Sequence, residues 1–137
     1  MEAKVALVEG MQFVGEADSG HAVVLDTVPA VQGRDTGARP MEFVLIGLVS
    51  CTAMDVVSIL RKRRKEPTRF EVYARAEQAT EHPKVFTDIE LEFVIAGDFT
   101  PAEVERAIDL SQNRYCPVSG MLKHSVNITA RYRIEEA

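Results

Sequence analysis

Two stretches in the middle of the chain alternate apolar and polar side chains one by one. Phe70, Val72, Ala74 and Ala76 are interleaved with Glu71, Tyr73, Arg75 and Glu77, while Ile89, Leu91, Phe93 and Ile95 alternate with Glu90 and Glu92. A period of two places the two sets on opposite faces, so both stretches read as strands with one buried face. The segment "EHP" (81–83) falls in their connection, and a closing strand alternates Val126, Ile128, Ala130, Tyr132 and Ile134 with polar residues. The first 30 residues read as shorter strands: "AKVALVEG" and "MQFVGEAD" part near Gly10, and "DSGH" (18–21) turns the chain into "AVVLDT". Residues 28–40, "VPAVQGRDTGARP", are rich in Gly and Pro and read as a loop.

Pro40 opens the most apolar segment, "MEFVLIGLVSCTAMDVVSIL" (41–60). As a helix it is about 30 Å long, enough to cross a bilayer by length. Glu42, Asp55 and several small polar residues argue against that. A helix apolar on nearly every side must then be covered by protein, and a second subunit is the economical cover. The cations of "RKRRKE" (61–66) follow and finish the helix, which is expected over 40–65. There they complement the negative end of its dipole. Further on, "TPAE" (100–103) has a Thr cap, Pro at the first helical position and Glu at the third. Val104, Ala107, Ile108 and Ser111 continue it at helical spacing as one buried stripe. The order is strands, long helix, two strands, helix, short helix, strand. This is an α+β chain in which mostly antiparallel pairing is expected.

The 137 residues amount to a single domain, 1–137, with 1–39 as N-terminal strands and loop and 68–137 as the remaining strands and helices. The formal charge of −5 works against nucleic acid or an acidic membrane as partner, so the 61–66 cations are read as a helix end. The N-terminus lacks the pattern of a secretory signal, and two cysteines without one point to the reducing cytoplasm. A disulfide here is expected to be transient and chemical. Neither Cys51 nor Cys116 has a second ligand at metal-binding spacing, and His21, His82 and His124 are scattered, so no metal and no cofactor is expected. There is no P-loop, dinucleotide-binding glycine pattern or nucleophile elbow, and no spacing makes a hydrolase of Ser119 and His124.

The chemistry therefore rests on the thiols. In "NRYCPVSGML" (113–122), Cys116 directly precedes a proline, which makes it the cap of a short helix. Unpaired N–H groups favour an anion there, so helix-start electrostatics points to Cys116 as a thiolate, while on this stretch alone a small buried cysteine is the expected reading. Cys51 sits midway along the long helix in "LVSCTAMD", with Asp55 one turn further on the same face. That carboxylate raises a neighbouring thiol's pKa, or else pairs with a helix-end Lys or Arg. An active Cys51 then requires a cation, and Arg34 and Arg39 are the nearest in sequence. Brought together, the two thiols form a couple in which one attacks and the other resolves.

The pairing of "GARPMEFVLIGLVSCTAMDVVSIL" with "YCPVSGML" some 65 residues on resembles the OsmC/Ohr family, in particular its YhfA-like branch, over essentially the whole chain. The resemblance implies an intertwined homodimer with bent antiparallel sheets around long central helices. It also implies a thiol peroxidase that reduces organic hydroperoxides in oxidative-stress defence. Cys51 then matches the attacking cysteine and Cys116 the resolving one, against the helix-start argument. A small hydroperoxide is the substrate, and an external dithiol resets the pair. The family's active-site glutamate directly follows the proline before the central helix. Here that position is Met41, with Glu42 one residue and about 100° away. Arg34 and Glu42 are the expected arginine–glutamate pair, with Arg39 as the other arginine. The alternative reading is a non-catalytic dimer that binds a small apolar or oxidised ligand near the cysteines.

Overall fold

In the computed structural model residues 1–136 are described; Ala137, the last residue of the expected domain, lies outside them. The chain divides into two compact units, Met1–Leu45 and Ile46 onward, with the boundary inside the long helix.

The first unit holds strands β1 (Ala3–Glu9), β2 (Gln12–Ala17) and β3 (Val23–Leu25), paired antiparallel in that order. Gly10 takes φ +59° in the two-residue link between β1 and β2, where a tight hairpin needs a positive φ. All of β1 is exposed, Val5 and Leu7 included. The loop after β3 is organised by the buried Asp26. Its carboxylate accepts from the backbone N–H of Thr27, Arg34 and Thr36 and from the Thr36 hydroxyl. These bonds, led by the Thr36 hydroxyl, hold its pKa down to about 2. The loop passes so close to itself that a Cβ on Gly33 would stand 2.0 Å from the Thr27 carbonyl oxygen. Only glycine fits.

Helix α1 spans Pro40–Arg61, four residues short of the expected 40–65. Arg64 adopts φ +60°, which ends helical geometry among the crowded cations, and Pro67 follows. Arg61 lies in the last turn, and three of the cations also meet acids. Arg61 meets Glu66 at 2.6 Å, and Lys65 and Arg63 reach Glu103 at 3.0 and 4.0 Å.

In the second unit, strands β4 (Arg69–Gln78), β5 (Phe86–Ala96) and β6 (Asn127–Glu135) form a sheet with β5 in the middle. The alternation read in β5 is the core. Ile89, Leu91, Phe93 and Ile95 are fully buried, each side chain contributing about 1.5–3 kcal/mol by leaving water. Phe70 of β4 packs edge-on to Phe93. β4 and β5 pair antiparallel, in keeping with the mostly antiparallel expectation, whereas β5 and β6 pair parallel. The cause is the connection between them: a parallel return needs a long crossover, and helices α2 (Pro101–Leu110) and α3 (Pro117–Leu122) supply it. The α2 start carries the expected reciprocal cap between Thr100 and Glu103. Its regular turns stop at Leu110, so Ser111 opens a π-helical turn, Ser111–Tyr115.

Candidate active site

A π-helical turn delivers Cys116. Its N–H donates to the Ser111 carbonyl at 2.8 Å, closing the turn and ending the α2 direction. Pro117 then starts α3, with Cys116 as its cap, as the Cys-Pro junction predicts. The Ser119 N–H donates to the Cys116 sulfur at 3.3 Å, and the residue is only 4% exposed.

The opposing thiol comes from α1. That helix buries one residue per turn: Leu48, Thr52, Val56 and Leu60. Cys51 lies beside this stripe, half-buried and unbonded to Cys116. The Cys51 side chain is close enough to shift the Cys116 pKa, across 64 intervening positions.

Burial is the main reason that the Cys116 thiol is pushed up to about 11. The Ser119 N–H pulls the other way, and Cys51 raises it further, by hydrogen bonding and by its own negative charge when ionised. Helix-start electrostatics had favoured Cys116 as the thiolate, and the structure corrects this. The N–H groups of Val118 and Ser119 at the start of this six-residue helix both favour the thiolate, and burial of the charge outweighs them. Cys116 is thus held as a thiol at neutral pH.

Among the described residues, Asp55 pairs with neither lysine nor arginine. Its carboxylate accepts from the Ser111 hydroxyl at 2.9 Å. Ser111 and Thr52, both fully buried, meet through their hydroxyl oxygens at 2.7 Å. Gln112 donates to Thr52 at 2.9 Å and accepts from Ser119 at 3.1 Å. No sequence pattern marks these five residues as a group. Two signals were available: Thr52 is a polar residue at a core position of an apolar helix, and Ser111 sits in the α2 stripe.

In the first unit, Glu42 accepts from the Arg39 N–H at 2.8 Å and from its guanidinium at 3.4 Å. The backbone bond is the larger reason that its pKa is lowered. Arg39 also reaches Asp35 at 2.9 Å. Arg34 turns to Glu9 at 3.5 Å, with an exposed side chain. Of the two candidate arginines, Arg39 is the one that Glu42 holds. His21, His82 and His124 are all exposed.

Residues 33–131 match the family model described as OsmC-like protein. The chain is 43% identical to Protein YhfA of Escherichia coli (strain K12) over 138 residues, covering all of both chains. It is similar to a crystal structure of a protein from Aquifex aeolicus VF5, with 27% identity, a TM-score of 0.88 and coverage of 99% of this chain and 96% of that one. In fold it is also similar to an organic hydroperoxide resistance protein OsmC from Legionella pneumophila. There the TM-score is 0.69 at 14% identity, over 96% of this chain and 94% of the other.

Proposed function

This chain belongs to the OsmC-like family, and from that premise we propose that it is a cysteine-based peroxidase that reduces organic hydroperoxides in the cytoplasm. The observation that carries the reading is the pair of free thiols, Cys51 and Cys116, close enough for one to shift the other's pKa and unequal in environment. Cys51 is the more accessible and takes the attacking role, while buried Cys116 keeps its proton and waits.

The Cys51 thiolate attacks one peroxide oxygen, the O–O bond breaks, and the alkoxide leaves as an alcohol after taking a proton. Cys51 is then a sulfenic acid. The Cys116 sulfur displaces its hydroxyl, giving a disulfide and one water. An external dithiol returns both sulfurs to thiols by exchange. Of the two arginines that the resemblance offers for this thiol, Arg39 is held by Glu42 and Asp35, while Arg34 is committed to Glu9.

A homodimer belongs to the same proposal. Most of α1 outside its single buried stripe is apolar, with Ile46 52% and Met54 72% exposed. A second copy is the cover that a helix of this hydropathy calls for.

The deciding experiment treats the reduced protein with one equivalent of cumene hydroperoxide, then counts free thiols and maps any Cys51–Cys116 link by mass spectrometry. Cys51→Ser and Cys116→Ser are the controls. Loss of two thiols per chain with the mapped link is expected. Retention of both thiols, while a general thiol reagent still reaches Cys51, would end the peroxidase reading.

A further inference from the structure

The polar side chains around the thiols form one chain of hydrogen bonds with a single direction. Asp55 is its terminus, and its Oδ2 accepts the Ser111 hydroxyl hydrogen. With its one hydrogen committed there, Ser111 Oγ can only receive from Thr52. Thr52 Oγ1, its own hydrogen given to Ser111, must itself receive, and the Gln112 side-chain nitrogen donates to it. That leaves Gln112 Oε1 toward Ser119, whose hydroxyl donates to it. The network therefore orients the amide. Turned over, its oxygen would face the Thr52 oxygen with no hydrogen between them.

This chain spans the elements that carry the two sulfurs. Thr52 follows Cys51 on α1, and the Ser119 N–H holds the Cys116 sulfur. Gln112 bridges them from within the π-helical turn that ends at Cys116. Such turns are rare, and this one is pinned by its first two side chains, Ser111 and Gln112, both bonded to α1 residues.

The geometry points to Gln112 as a positioning residue, which with Thr52 and Ser111 fixes Cys116 against Cys51 and so sets the effective concentration of one thiol at the other. Its place in a peroxidase cycle rests on the function proposed above, where it governs disulfide closure rather than the attack on peroxide. The positioning itself can be read without peroxide.

The test equilibrates the protein with reduced and oxidised glutathione. The dithiol and one oxidised glutathione give the protein disulfide and two reduced glutathiones, and the equilibrium constant is the effective concentration of the pair. Wild type is compared with Gln112→Ala, Thr52→Val and Thr52→Ser. A loss of about tenfold or more is expected for Gln112→Ala and for Thr52→Val, which keeps the shape but removes the hydroxyl. Thr52→Ser, which keeps the hydroxyl, should stay close to wild type. In a Cys116→Ser background, the rate at which Cys51 forms a dimedone-trappable sulfenic acid should fall much less.

Values within about twofold of wild type for both Gln112→Ala and Thr52→Val would overturn the assignment. So would an equal fall in Thr52→Ser and Thr52→Val, or a fall in sulfenic acid formation as large as that in closure. If Thr52→Val does not fold, Gln112→Ala, at a half-buried position, decides alone. A wild type inert to cumene hydroperoxide but sensitive in the glutathione measurement would sink the peroxidase reading and uphold this one.

Discussion

The hydroxyls of Thr52 and Ser111, 59 residues apart in sequence, meet at 2.7 Å with no access to water. Each is the other's partner, and Ser111 carries the bond on to Asp55. Removing one leaves the other without its bond in a dry site. Ser111→Ala should therefore destabilise the fold by about 1–3 kcal/mol, read from the midpoint of urea unfolding with an unchanged slope.

Cys116, with its pKa pushed up to about 11 from 9.0, should resist alkylation. At pH 8 it carries about a hundredfold less thiolate than an ordinary cysteine. Iodoacetamide labelling followed by peptide mapping should mark Cys51 first and Cys116 only near pH 11 or after unfolding. Because the folded value is raised, this thiol's contribution to stability is complete below pH 9 and is lost as pH climbs toward 11.

Asp26 titrates in the opposite sense. Its folded pKa lies near 2, against 3.8 for the free group, so its stabilisation is present above pH 4 and disappears as pH falls toward 2. The difference in melting temperature between wild type and Asp26→Asn should be largest near neutrality and shrink across that window. A constant difference down to pH 2 would contradict the assignment.

Assembly is read from mass. Sedimentation equilibrium should return twice the 15.2 kDa of the chain. Met54→Glu, at a residue 72% exposed within the chain, should shift the population toward the single-chain mass. Placing a charge there burdens only a covered face.

Much of this protein was legible locally. The β5 alternation, the Thr100–Glu103 cap and the Cys116–Pro117 helix start each depend on residues within a few positions of one another, where backbone geometry and near-neighbour hydrogen bonds decide. The apolar run of α1 was equally plain. The tertiary structure alone decided the rest. The parallel pairing of β5 with β6 depends on where a 30-residue crossover returns, which no strand pattern encodes. Ser111 reads as a stripe residue of α2 until the π-helical turn makes it an anchor for Cys116. The proton preference of Cys116 went against its local cap, because burial is a property of everything packed around a sulfur and helix-start geometry only of the three residues after it.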